Sequence, residues 1–221
     1  MYTPDHFAES DLAALHALLR THAFALLTTA RPGEAPCATH LPLVIDAERG
    51  ELGTLIGHVA RANPHWRHFD GKTQALAVFS GPHTYVSARW YPTAKQVPTW
   101  NYVAVHATGR PRVLDDPSDT FALLRDLMAQ NERALAPAAR AVGKGPRELA
   151  DIPFAHLDKL LRGIVAFELP IERLEGKRKL SQNKKPNERR ALIAGLRAAG
   201  GPEAAAIADA MQATLAPETE S

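Results

Sequence analysis

Positive charge crowds one short stretch of this 221-residue chain. Between residues 171 and 190 stand eight Lys/Arg (173, 177, 178, 179, 184, 185, 189, 190) against three Glu (172, 175, 188), a local excess of +5, whereas the whole chain carries +2. Ser181, Gln182 and Asn183 interleave with these cations and add short, directional hydrogen-bonding groups. A solvated loop, a phosphate-binding loop and a nucleic-acid patch all fit the charge; the interleaved hydroxyl and amides favour a small anion. A second anion candidate is Gly57-His58-Val59-Ala60-Arg61-Ala62-Asn63-Pro64. It runs from a strand end into a helix start, where free amides and the helix dipole favour phosphate. Arg61 adds a full charge, and a plain strand-to-helix turn is the alternative.

Two further segments carry aromatics beside amides: Ser80–Ser87, with His83 and Tyr85, and Val97–Tyr102, with Trp100 and Asn101. Such groups stack on a planar ligand and bond its edge, and they equally serve as core and turn residues. His65 and His68 stand three apart, which suits a shared metal. Only Asp70 accompanies them, so a solvated polar helix face is the simpler reading, and no metal is expected. The sequence lacks GxGxxG after a strand, GxxxxGK[ST], HExxH and GxSxG, which sets aside the common nucleotide, zinc-protease and hydrolase motifs. The single Cys37 leaves no internal disulfide or multi-thiolate zinc site. A cytoplasmic location is expected from that cysteine usage and from an opening Met1–His6 without the features of a secretory signal. No apolar run approaches the ~20 residues of a membrane span, so no membrane partner is expected.

The elements that must position these residues are mostly short strands. Alternation and turn residues predict β-runs at Phe24–Thr29, Cys37–Ile45, Gly53–Val59, Ala75–Ser80, Thr84–Ala88, Tyr102–Thr108 and Ile164–Leu169. Gly81-Pro82 reads as a tight turn between the fourth and fifth. Helices are predicted at Asp11–His22, with Ser10 as N-cap, at Pro117–Arg133, and at Asn187–Ala198 and Pro202–Leu215. Asn63-Pro64 predicts a short helix through Trp66 and Phe69. Residues 134–153 read as a loop with short helical pieces. Many strands without β-α alternation predict a mainly β fold with peripheral helices (α+β), an antiparallel barrel rather than a doubly wound sheet. One domain over residues 1–185 and a helical extension over 186–221 are expected.

Taken in order, the segments Met1–Phe7, Ala38–Pro42, Gly57–Pro64, Phe79–Ser87, Val97–His106 and Lys179–Asn183 closely resemble the PaiB family of FMN-binding negative transcriptional regulators. The likeness runs from Met1 to about Ala198. It implies an FMN-binding split β-barrel of the pyridoxamine-phosphate-oxidase-like kind, a homodimer with FMN at the subunit interface, and repression of genes, with promoter DNA as a partner. Residues assigned to the cofactor under this resemblance are Thr39, His40, Leu41, His58, Arg61, Asn63, His83, Tyr85, Trp100, Asn101, Lys179, Ser181 and Gln182. The phosphate is expected between Arg61/Asn63 and Lys179/Ser181, and Lys184 and Lys185 on a solvated edge. Trp90, Tyr91 and Trp100 are expected as dimer anchors. The helix over 202–215 lacks Arg and Lys, which weakens it as a DNA-reading helix. An FMN-dependent oxidoreductase, with His83, Tyr85 or His106 relaying protons, is the alternative.

Overall fold

The computed structural model describes residues 1–141, 145 and 148–215, which form two compact units. One comprises Met1–Leu15, Ser80–Val105 and the chain from Glu175 onward; the other comprises His16–Phe79 and His106–Leu174. In chain order the elements are β1 (Ala8–Glu9), α1 (Leu12–Thr21), β2 (Phe24–Thr29), β3 (Cys37–Asp46), β4 (Thr54–Ala60), β5 (Ala75–Val86), β6 (Thr99–Gly109), β7 (Arg112–Val113), α2 (Pro117–Ala141), α3 (Phe154–Arg162), β8 (Ile164–Lys179), α4 (Pro186–Ala199) and α5 (Pro202–Ala213). A 3-10 turn spans Pro64–His68.

In the second unit the strands pair antiparallel in the order β8-β4-β3-β2-β5, and β7 pairs with β8. The register sets Leu27 between Thr39 and Ala77, and Leu26 between His40 and Val78. Successive side chains of a strand point to opposite faces. Ala25, Leu27, Leu41, Leu43, Leu55 and Phe167 therefore fill the core, while Phe24, Leu26 and His40 line the other face. Gly57 is needed in β4 because a Cβ there lies 2.5 Å from the Leu43 side chain and 3.3 Å from the Phe167 ring.

The first unit pairs Ala8 and Glu9 with Lys177 and Gly176. Its helical part is a pair in which Leu192 and Leu196 of α4, and Ile207 and Met211 of α5, supply buried i, i+4 stripes. Asp11, rather than Ser10, begins α1: its Oδ1 accepts from the Ala14 amide at 2.8 Å. Trp90 packs on α4, where a Cβ on Gly195 lies only 2.4 Å from the indole. Tyr91 is buried, so of the three aromatics expected at an interface only Trp100 is exposed, at 53%.

Three elements run longer than the sequence predicts. β5 is one strand through Gly81-Pro82, not two joined by a turn. Proline is tolerated there because it lies beyond Val78, the last residue paired with β2. β8 continues through the charged run to Lys179, and α2 reaches Ala141. α3 lies just beyond the 134–153 stretch, over residues for which the sequence predicts no element; residues 142–144 and 146–147, with Gly143 and Pro146, lie outside the described residues, as do 216–221. No helix among the described residues is long and apolar enough to cross a membrane.

Candidate functional site

In the second unit the polar residues gather where β3 meets the 3-10 turn. Asn63 caps that turn, its Oδ1 accepting from the His65 amide at 3.0 Å, with Pro64 in the first position. Its Nδ2 donates to Thr39 Oγ1 at 3.1 Å. Thr39 Oγ1 also lies 2.8 Å from His65 Nδ1. The other imidazole nitrogen, His65 Nε2, is 2.9 Å from Thr29 Oγ1, which is 2.8 Å from His68 Nδ1. His65 is fully buried. The expectation of two solvated histidines is therefore corrected: the turn folds its His65 face inward because two threonines of β2 and β3 satisfy both ring nitrogens. Burial, then the neighbouring His68, lowers the His65 pKa to about 4. No group of three or more His, Cys, Asp or Glu suited to a metal occurs among the described residues.

Arg61 is exposed and anchored, donating to the carbonyls of Arg162 at 2.9 Å and Ile164 at 2.8 Å. It borders a cavity of about 460 Å³ with Trp66, Asp115, Asp158 and Arg162. His40 is exposed and stacks on Phe24, with ring centroids 6.1 Å apart. His58 Nδ1 is buried without a hydrogen-bond partner among the described residues, and burial lowers its pKa. An orphaned ring nitrogen of this kind can accept a water, an ion or a ligand's polar edge. Leu41 differs: its side chain is in the core, which removes it as a wall for a ring.

The first unit splits its assigned residues between the two faces of β6. Thr99 and Asn101 point one way, Trp100 the other. On the Trp100 face, Tyr85 meets the indole edge-on at 6.1 Å and His83 lies 6.4 Å from it. On the Asn101 face, Lys179 Nζ donates to Thr99 Oγ1 at 2.6 Å and to the Trp100 carbonyl. Asn101 is fully buried and exchanges hydrogen bonds with Ser181 Oγ at 3.1 and 3.2 Å. Ser181 itself adopts φ 61°, a left-handed conformation uncommon outside glycine. Gln182 closes this turn with both amide ends, accepting from the Leu180 amide at 2.7 Å and donating to the Arg178 carbonyl at 2.6 Å. Its side chain is thus spent on the turn.

A pocket of about 190 Å³ opens here, lined by Tyr91, Thr99, Asn101, Lys179, Ser181 and Lys184 among others. Two ammonium groups, three hydroxyls and two amides, those of Asn101 and Asn183, make a donor set suited to a phosphate dianion. The volume is below the roughly 300 Å³ at which ligand pockets begin, so it takes a head group and not a tricyclic ring. Burial, then Lys177, lowers the Lys179 pKa.

The basic run is not a solvated loop. Lys177 is buried, donates to the Tyr2 carbonyl at 2.9 Å and faces the Tyr2 and Tyr102 rings. Arg178 pairs with Glu9, and Arg189 donates to the Met211 and Thr214 carbonyls at the end of α5. Lys184, expected at a solvated edge, donates to Gln96 at 2.7 Å and lies 5.7 Å from the centre of the Tyr91 ring. Thr29 and Thr99 are polar partners that the sequence does not single out, since nothing in their spacing marks them; Tyr91, expected as a dimer anchor, lines this pocket.

Over residues 1–173 the chain matches the model of a family described as "Putative FMN-binding domain". It is 30% identical over 215 residues to the Bacillus subtilis "Protease synthase and sporulation protein PAI 2", a match spanning 97% of this chain and 98% of that protein. An uncharacterized Emericella nidulans protein, AN0679, is 31% identical over 88% of this chain and 90% of its own. Among solved structures, the FAD and heme binding protein from Mycobacterium smegmatis aligns with a TM-score of 0.58 at 18% identity, over 88% of this chain and 80% of its own. The flavocytochrome Anf3 from Azotobacter vinelandii gives 0.55 at 17%, over 78% and 69%. These structural likenesses are of fold: an antiparallel sheet with peripheral helices, as in flavin-binding split barrels.

Proposed function

This chain belongs to the PaiB family of FMN-binding proteins, and from that premise we propose that it is a flavin-dependent negative regulator of transcription working as a homodimer. The observation that carries the reading is the nearly full-length correspondence with a protein whose name couples it to protease synthesis and sporulation. Bound FMN supplies a redox-active ring and a phosphate dianion. In the first unit, Lys179, with Thr99 and Ser181 around it, is suited to hold a phosphate. In the second unit, Thr39, His40, His58 and Asn63 are suited to polar recognition of a flavin. Trp100, with Tyr85 and His83, is an exposed aromatic surface suited to stacking or to a second subunit.

α5 offers little to hold DNA. It contains no Lys or Arg, and the last carbonyls of its C-terminal end are bonded to Arg189. The test combines an absorbance spectrum, light scattering and a gel shift on the protein's own promoter. A flavin spectrum on FMN addition, a dimer mass, and binding whose log K falls with log salt support the reading. No retardation with or without FMN removes the regulatory part; a monomer mass removes the dimer. A second reading, a flavin oxidoreductase, is favoured by the buried file of hydrogen bonds through His65. FMN-dependent oxidation of NAD(P)H decides for it.

A further inference from the structure

From Asn63 to Glu34 the second unit holds a continuous file of polar groups: Asn63, Thr39, His65, Thr29, His68, Glu34. Its successive separations are 3.1, 2.8, 2.9, 2.8 and 3.4 Å. Exposure of its titratable members rises along the file, from none at His65 to 13% for the His68 side chain and 52% for that of Glu34. The Glu34 end fixes the direction of the file when both imidazoles are neutral. An ionised Glu34 carboxylate can only accept, so His68 carries its hydrogen on Nε2 and its Nδ1 accepts from Thr29. Thr29, its one hydrogen spent, accepts from His65 Nε2–H. The bare His65 Nδ1 then accepts from Thr39, which itself accepts from the Asn63 Nδ2. Each link has one donor and one acceptor, and none is left over. One lone pair of Thr39 Oγ1 remains for a ligand.

We propose that this file is a proton-transfer line, and that it makes Thr39 a proton acceptor at the flavin site with Glu34 as its outlet to solvent. The proposal rests on the reading of Thr39 as a flavin contact. One pass is five concerted or sequential proton shifts. A ligand group X–H gives its proton to Thr39 Oγ; the Thr39 proton goes to His65 Nδ1; that on His65 Nε2 goes to Thr29 Oγ. The Thr29 proton goes to His68 Nδ1, and that on His68 Nε2 goes to the Glu34 carboxylate, which releases it to water. Five bonds to hydrogen break and five form, X is left one proton poorer, and no oxidant or reductant takes part. Both imidazoles end as the opposite tautomer, ready to carry a proton inward. The low pKa of His65 suits the task, because only a neutral imidazole has one donor and one acceptor. The fixed charges of the neighbouring loops stay out of the file: Arg31 donates to the Arg67 carbonyl at 2.7 Å and pairs with Asp70 at 2.9 Å.

The first test uses the protein without flavin. Nitrogen-15 NMR of the side chains is expected to show His65 and His68 both protonated on Nε2 near neutral pH; an Nδ1–H tautomer at either position overturns the line. In the second test the FMN-loaded protein is reduced, mixed with ferricyanide and followed with a pH-indicator dye. His68→Gln keeps a hydrogen-bonding side chain but cannot change tautomer. It is expected to slow proton release about 100-fold, the scale of acid–base assistance, with FMN affinity held within about twofold. Added imidazole restores the rate in His68→Ala. Thr29→Val is expected to match His68→Gln, and if it misfolds the His68 variants carry the result. An unchanged release rate in His68→Gln overturns the proposal. Thr39→Val separates the two readings: unchanged FMN affinity there removes Thr39 from the flavin site and ends the catalytic role, even with the NMR tautomers as expected.

Discussion

Lys179 and His65 are both drawn out of water, and the groups around them answer in different ways. Around Lys179 the first unit concentrates charge: two lysines border a small pocket with hydroxyls and amides, and no acidic side chain is among its lining residues. Around His65 the second unit uses neutral groups in single file, each satisfied by the next. A desolvated cation is costly until an anion arrives, whereas a complete neutral network is already satisfied. The basic pocket is therefore the part of the molecule that gains from a ligand, and the histidine file is the part set rigidly beforehand.

The largest expected effect tests the neutral side of that contrast. His65 titrates at about 4 in the folded protein and at an ordinary 6.5 when unfolded. Between those values the unfolded chain binds the extra proton, so stability rises with pH. The contribution is complete above 6.5 and is lost as pH falls toward 4, on the order of 3 kcal/mol in all. Denaturant unfolding across this window is expected to show that dependence in the wild type and a flatter one in His65→Gln. Equal slopes in the two proteins defeat the assignment to His65.

The next effect tests the charged side. Lys179→Ala removes a charged hydrogen bond worth roughly 1.5–3 kcal/mol, so FMN affinity is expected to fall about ten- to a hundredfold. Riboflavin, which lacks the phosphate, is expected to lose much less. Equal losses for the two ligands show that Lys179 acts by holding Thr99 and the Trp100 carbonyl in place rather than by meeting the phosphate.

The same contrast explains what was legible in the sequence. Strands β2, β3 and β4 were readable because one face is buried, which forces alternation. The Asn63 cap was readable because Asn-Pro is a helix-start signal whose geometry is local. The charge at Lys177–Lys179 was conspicuous, but its fate was not: whether lysines are solvated or bonded to Tyr2, Thr99 and Trp100 depends on contacts at sequence separations of 79 to 175. For the same reason the sequence predicts a strand ending at Leu169 where β8 runs to Lys179, since charges usually mark a loop. His65 and His68 stand out as a pair, but nothing in the sequence signals their burial, because their partners Thr29 and Thr39 are ordinary strand residues brought in by register. Trp100 and Asn101 looked like one binding element, and strand alternation sends them to opposite faces.

Ser181 offers a smaller effect within the charged pocket. Ser181→Ala removes a hydroxyl from the buried Asn101 amide, a loss of about 1–2 kcal/mol. Ser181→Gly removes the same hydroxyl but relieves the left-handed backbone, recovering about 1 kcal/mol. The glycine variant is thus expected to unfold at higher denaturant than the alanine variant, the reverse of the order in most helices and strands. If alanine is the more stable, the backbone at residue 181 does not carry the strain its φ indicates.

The smallest expected difference separates two adjacent lysines that look alike in sequence. Lys184 donates to Gln96 and lies over the Tyr91 ring, on the rim of the basic pocket. Lys185 is exposed, and the contact it makes to Glu188 is through its backbone amide, which survives substitution. Lys184→Ala therefore removes a cation–π contact worth roughly 0.5–1 kcal/mol, and Lys185→Ala is expected to stay within about 0.5 kcal/mol of the wild type. Burial of Tyr91, with Glu188 nearby, raises its pKa, so its ring stays neutral beside Lys184 at ordinary pH. FMN affinity is expected to drop modestly in Lys184→Ala and to hold in Lys185→Ala. Weakening of FMN by both variants to the same degree, and its disappearance at high salt, shows that the pocket works through a diffuse field instead of placed contacts.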